Sequence, residues 1–321
     1  MGTAQFVQRT ITPDARLAAE IALRMTGHAP ATVRRFSTGA RHYVFEAAFA
    51  ARPPVVVRIG DRSAHAEMAG AVYLSRLLRP RGVPLPATLA EDVQADFPWV
   101  VLERLAGTDL GAVMTTLSAA QLDRIAAGVA RAQEITATAG SAGRYGYAVR
   151  PELAPHAAWP EVLTANLERS RQRIASAGLF DVGLIGRVEA RVAAMRMALA
   201  AIRPIAFLHD TTARNVIVAP DGELSGIVDV DDLCFGDPRY PAALTMAVLM
   251  AYGGPVAYVS SWLRHAGQAD DTLFALYVAQ FLVDLMSEHG QAFNGNALPS
   301  DPAARQSLHG AFDTVMARLQ G

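Results

Sequence analysis

The chain has 321 residues, a hydrophobic fraction of 51% and a formal net charge of −1: enough apolar material for one large domain or two lobes, and no field to attract DNA, RNA or another polyanion. All 29 Lys/Arg positions are arginine, so neither a Schiff-base lysine nor a Gly-Lys-Ser/Thr phosphate loop is available. The single cysteine, Cys234, excludes internal disulfides and thiolate zinc clusters and fits a reducing compartment. Residues 1–5 lack the basic and apolar regions of a signal peptide, and apolar runs such as 242–251 are too short to span a bilayer. The expectation is a cytoplasmic protein with neither a membrane nor a nucleic-acid partner.

Thr12-Pro13-Asp14 predicts a helix to about Met25, with Thr12 as cap and proline at the first helical position. Residues 33–36, 42–49 and 55–59 are short β-branched or aromatic runs, separated by Gly39 and by Pro53-Pro54, and read as an antiparallel meander. Residues 64–78 repeat apolar side chains at helical spacing behind Ser63 as a possible cap. Two more strands are expected around 88–90 and 98–105. From Gly107 the pattern turns helical, over 119–138, 159–177 and 184–201. Pro220-Asp221-Gly222 between the apolar runs 215–219 and 224–230 predicts a hairpin. Residues 241–319 are again helical. The fold class is therefore α+β: a small β-rich lobe over 1–103, a hinge near 103–107, and a larger helical lobe over 104–321.

The densest group of polar residues in an apolar setting runs from Phe207 to Val218, in Leu208-His209-Asp210-Thr211-Thr212-Ala213-Arg214-Asn215. Past the hairpin come Asp229-Val230-Asp231-Asp232 and then Gly236-Asp237-Pro238. An acid opening a loop, an amide five residues on and a second acid after a hairpin suit phosphoryl transfer. The first acid would accept the proton of an attacking hydroxyl, while the amide oxygen and second carboxylate would hold magnesium, a hard cation that prefers oxygen ligands.

On these residues the chain resembles the aminoglycoside phosphotransferase and choline kinase superfamily, the small-molecule branch of the protein-kinase-like fold. The match runs over roughly residues 30–245. It implies a bilobal fold and an ATP- or GTP-dependent, Mg2+-requiring kinase of a small-molecule hydroxyl, with an aminoglycoside- or hygromycin-like antibiotic as the favoured acceptor. Asp210 would be the catalytic base, Asn215 and Asp229 the magnesium ligands, and Asp237 an acid bracing the loop. Arg58, at the end of the third strand, stands where the fold places its phosphate-binding base, with Glu67 as the acid that fixes it. Phe36 to Arg41, containing Gly39, would cover the phosphates, and Glu103 and Leu105 would meet the purine through their backbone. Two positions depart from the family pattern. The histidine two residues before the base is Leu208, with His209 displaced beside it, and Arg239-Tyr240 follows Gly236-Asp237-Pro238.

Some residues carry two readings. Arg58 with Glu67 also reads as an ordinary surface ion pair. Asp231 and Asp232 read equally as contacts for a cationic substrate and as a solvated turn. Asp284 and Glu288, at i and i+4, line a substrate pocket or an exposed helix face; Asp270 and Asp271 are further acids available to a cationic acceptor. A metabolic alcohol (choline, homoserine or a sugar) is the alternative acceptor class. A non-catalytic nucleotide-binding module is the alternative role. A phosphatase built on Asp229-Val230-Asp231 is disfavoured by Leu233 and by the lack of lysine.

Overall fold

The computed structural model describes residues 12–36, 42–293, 296–297 and 300–320; of the expected phosphate-covering turn at 36–41, all but Phe36, Gly39 included, lies outside the described residues. The chain divides into two compact units, one of residues up to Ala69 with Thr88–Arg104, the other of Gly70–Ala87 with residues from Leu105 on.

The first unit begins with α1 (Ala15–Thr26). Its cap is Asp14 rather than Thr12: the carboxylate accepts the Leu17 N–H at 2.9 Å, and Gly27 closes the helix in a left-handed conformation. The strands β1 (Thr32–Arg35), β2 (Tyr43–Ala48), β3 (Val55–Ile59), β4 (Thr88–Asp92) and β5 (Trp99–Glu103) form one antiparallel sheet in the order β1-β2-β3-β5-β4. Ala18, Ile21 and Ala22 of α1 bury against Phe45, Ala47, Val57, Ile59 and Val101. Helix α2 (His65–Leu78) contains the boundary between the units. Ser63 does not stand as its cap in the expected way, because its hydroxyl donates to Asp61 Oδ1 at 2.6 Å.

The second unit contains β6 (Thr108–Asp109), α3 (Leu110–Val113), α4 (Ala119–Thr136), β7 (Gly146–Ala148), α5 (Trp159–Ala177), α6 (Gly183–Ala194), α7 (Arg196–Ala200), β8 (Ile205–Phe207), β9 (Val216–Val218), β10 (Leu224–Ile227), β11 (Leu233–Gly236), α8 (Tyr240–Tyr252), α9 (Ala257–His265), α10 (Thr272–Glu288) and α11 (Pro302–Arg318). Helix α10 is the axis of this unit. Every residue from Leu273 to Val283 is buried, so it has no polar face, and it packs on α5, α6, α8 and α11. The helix expected over 184–201 is two segments, because Met195 leaves helical angles (φ −97°, ψ 13°) while the hydrogen bonds run on through it.

Two three-stranded sheets, β10-β9-β6 and β7-β11-β8, contain the strands on either side of the polar segment 208–215. Strand β11 was not legible as a strand, since all four of its residues are buried and no alternation marks it. Gly236 is required at its end: a Cβ there would stand 2.1 Å from the Trp159 ring. Gly107, in a left-handed conformation with φ 104°, lies so close to β9 that a Cβ would be 1.8 Å from the Val218 carbonyl oxygen. No helix among the described residues is long and apolar enough to cross a membrane.

Candidate active site

Strand β8 delivers Leu208, His209 and Asp210 to the edge of the β7-β11-β8 sheet. Leu208, 1% exposed, sits in an apolar cluster with Leu74, Val83, Leu85, Ile227 and Phe235. A leucine therefore fills a wall of core where the family pattern has a histidine. The backbone at this point is gripped by Gln133 of α4, a buried residue the sequence reading did not single out. Its Oε1 accepts the Leu208 N–H at 2.9 Å; its Nε2 donates to the Leu208 carbonyl at 2.9 Å and to Thr211 Oγ1 at 3.2 Å. A lone glutamine inside an amphipathic helix carries no local signal of this role.

The loop that follows is closed on itself. Asn215 Nδ2 donates to the Asp210 carbonyl at 3.1 Å, and the Asn215 N–H donates to the Thr212 carbonyl at 2.9 Å. Thr212 Oγ1 donates to Asp210 Oδ1 at 2.9 Å. From α8, Thr245 Oγ1 reaches the Thr211 carbonyl at 3.4 Å. Asp210 is thus fixed at its carbonyl and at one carboxylate oxygen.

The hairpin of β9 and β10 then returns the chain to Asn215. The Val228 N–H donates to the Asn215 carbonyl at 2.9 Å, which sets Asp229 beside it. Asp229 is exposed and has φ 63°, the one non-glycine residue with positive φ among those described. Such a conformation costs a non-glycine residue free energy and is found where surrounding structure imposes it. Because the Asn215 amide nitrogen is taken by Asp210, its amide oxygen is the end left to accept or ligate. One amide oxygen and one carboxylate are a hard donor set that fits magnesium, which keeps several waters and phosphate oxygens of its own. No group of three or more His, Cys, Asp or Glu side chains able to hold a metal occurs among the described residues.

The neighbouring acids divide by partner. Asp232 lies 3.0 Å from His209 Nδ1, and His209 stands edge-on to Tyr147 at 5.1 Å. Burial opposes the imidazolium of His209, but Asp232, with Asp210 and Asp231 behind it, outweighs burial and raises its pKa. Asp284 accepts from Arg169 Nη2 at 3.0 Å and from Ser170 Oγ at 2.9 Å. Asp271 caps α10 and pairs with Arg239, and Asp270 pairs with Arg318. Asp271 and Asp284 are separated by most of α10, about 20 Å at the helical rise per residue, so they do not act on one ligand group. Glu288, one turn beyond Asp284, is the acid under most pressure. Burial, then the charge of Asp284, push its pKa up to about 7, with Asp210 adding to the repulsion and Arg173 and Arg169 opposing it.

Asp237 is 2% exposed. It accepts from the N–H, Nε and Nη2 of Arg239 and from the Tyr277 hydroxyl at 2.9 Å, while Trp159 Nε1 donates to that hydroxyl at 2.9 Å. The second departure from the family pattern thus supplies the buried acid with its counter-ion.

In the first unit, Arg58 is 6% exposed and lies opposite Val44 of β2 and Val100 of β5. Glu67, in the first turn of α2, has Oε2 at 3.8 Å from Nε2 of the buried His42, another residue not singled out from sequence. Glu103 ends β5 opposite Val55 and is exposed. Leu105, in the second unit, packs against Gly226, where a Cβ would be 2.7 Å from its Cδ1.

With this arrangement in view, comparison with known families is decisive: the sequence profile of the phosphotransferase enzyme family (APH) matches residues 32–277. The chain belongs to this family. It is a small-molecule phosphotransferase. Among curated proteins no sequence matches. Solved structures share the fold. A thermostable variant of aminoglycoside phosphotransferase APH(4)-Ia, in ternary complex with AMP-PNP and hygromycin B, superposes with a TM-score of 0.69 at 15% identity, over 94% of this chain and 97% of that one. The streptomycin–ATP complex of APH(2")-IIa gives 0.60 at 13% identity, over 96% and 99%. A GDP complex of aminoglycoside 2'-phosphotransferase-IIIa gives 0.63 at 15% identity, over 96% of each chain. The bilobal kinase-like α+β architecture expected from sequence is the one found.

Proposed function

We propose that this phosphotransferase moves the γ-phosphoryl group of ATP or GTP to a hydroxyl of an aminoglycoside- or hygromycin-like antibiotic, in the cytoplasm, as a resistance enzyme. The observation that supports it most is the closed loop from Asp210 to Asn215, which holds one carboxylate oxygen of Asp210 and leaves the other to the acceptor. That oxygen takes the proton of the attacking hydroxyl. The hydroxyl oxygen bonds to the γ-phosphorus, the bond to the β–γ bridging oxygen breaks, and a nucleoside diphosphate leaves. Asn215 and Asp229 would hold magnesium, which supplies charge neutralisation at the phosphates. In this reading residues 1–103 are the nucleotide-binding part, with Arg58 at the phosphates, Glu67 fixing it and the backbone of Glu103 and Leu105 at the purine; residues 104–321 carry the base and the acceptor contacts, Asp231 and Asp232 among them. The antibiotic acceptor is suggested by the ligands of the structural neighbours.

A second acceptor class, a metabolic alcohol such as choline, homoserine or a sugar, is favoured by the pairing of Asp284 with Arg169 and of Asp271 with Arg239. Those pairings leave fewer carboxylates for a polycation. The test is nucleoside-diphosphate release with Mg-ATP and Mg-GTP over aminoglycosides, hygromycin B, choline, homoserine and sugars, with Asp210→Asn alongside. Acceptor-dependent release that disappears in the variant supports the reading and identifies the acceptor class. Undiminished turnover by Asp210→Asn overturns Asp210 as base. Tight nucleotide binding without release on any acceptor favours a non-catalytic module.

A further inference from the structure

We infer that Thr212 is a positioning residue for the reaction, orienting the Asp210 carboxylate toward the acceptor hydroxyl. The inference rests on the assignment of Asp210 as base.

The argument starts from the two oxygens of one carboxylate. Oδ1 of Asp210 accepts the Thr212 hydroxyl at 2.9 Å, and the Thr212 N–H lies 3.4 Å from the same oxygen. Side-chain rotation of Asp210 is thereby arrested, and Oδ2 becomes the oxygen that meets the acceptor hydroxyl. Thr212 is itself held, because its carbonyl accepts the Asn215 N–H at 2.9 Å within the loop that Asn215 closes through the Asp210 carbonyl. The donor therefore sits on a fixed turn, and its single proton is committed to Asp210.

Loss of the donor frees the carboxylate to rotate away from its productive orientation, which lowers the rate of a general-base step more than ground-state binding. The β-branched, isosteric valine removes the hydroxyl while keeping side-chain shape and the stiffness of the turn. Serine keeps the hydroxyl and loses only a methyl group.

The experiment compares wild type, Thr212→Val, Thr212→Ser and Asp210→Asn. With the acceptor found by the release assay, kcat of Thr212→Val is expected to fall roughly tenfold to a hundredfold while nucleotide KM stays within about twofold, and Thr212→Ser is expected to restore kcat. Wild-type kcat in Thr212→Val, while Asp210→Asn is inactive, overturns the inference and leaves the base intact. Equal defects in the valine and serine variants also overturn it, because they reduce Thr212 to a packing role. Turnover by Asp210→Asn removes the base assignment, and the role of Thr212 with it.

Discussion

The guanidinium of Arg239 embraces the buried carboxylate of Asp237, with Nε and Nη2 donating at 3.0 and 2.7 Å, and its remaining nitrogen Nη1 reaches Asp271 at the N-terminus of α10. One side chain therefore ties the end of β11 to the start of the helix that forms the core of the second unit. Arg239→Ala strands a carboxylate that is 2% exposed, with the Tyr277 hydroxyl as its remaining side-chain donor. Removal of one partner of a buried pair costs about 3–5 kcal/mol, which denaturant unfolding would register as a lower midpoint. Arg239→Lys rescues little, because an ammonium cannot reproduce the fork that serves two carboxylates.

Asp229 pairs a proposed ligand role with a left-handed backbone. Asp229→Gly removes the steric cost of that conformation, and the variant is expected to gain about 1 kcal/mol of stability. Its magnesium-dependent nucleotide turnover is expected to vanish. A melting curve beside a release assay checks both; a variant less stable than wild type contradicts the strain argument.

Glu288 makes stability depend on pH in the direction opposite to a salt-bridged acid. Its folded-state pKa, about 7, lies above that of the unfolded chain, so the unfolded state ionises first. The native state then loses stability as pH rises from about 4.5 through 7. Glu288→Gln, which cannot ionise, is expected to be more stable than wild type at pH 8 by on the order of 2–3 kcal/mol, with the gap closing below pH 5. Thermal melts of both proteins across that range decide it; a constant gap contradicts the assignment.

At Gly236 the expected penalty is steric. An added methyl would stand 2.1–2.7 Å from three carbons of the Trp159 ring, a residue 1% exposed that cannot withdraw into solvent. Gly236→Ala is expected to cost about 3 kcal/mol or more. Differential scanning calorimetry measures this directly, and an unchanged melting temperature would show that the ring moves.

The sequence was most readable where local chemistry repeats or punctuates. The five strands of the first sheet, the helix 159–177 and the hairpin around Pro220-Asp221-Gly222 were all marked by spacing or turn residues. Asp14 displaced Thr12 as cap because either residue type suits that role and only the backbone path chooses between them. Strands β7 and β8, three residues each, and the fully buried β11 gave no alternation to read. In the site, Asp210, Asn215 and Asp229 stood out through their spacing. Gln133, Thr212 and His42 did not, because each acts through a contact made by folding, and Gln133 reaches Leu208 across 75 positions of chain. The arginine partners of Asp284 and Asp271 were invisible for the same reason.

Arg58 sits almost wholly inside β3, in a chain whose basic side chains contain no primary amine. Lysine acetylation, a common means of silencing a phosphate-anchoring amine in a cell, has no side chain to modify anywhere in this sequence. Nor can a guanidinium discharge in alkaline solution as an ammonium does, so the anchor proposed for the nucleotide keeps its charge over the whole pH range in which the protein can fold. Control of the anchor by lysine acylation is closed off, and nucleotide analogues that label a phosphate-anchoring lysine would find no such amine at this position.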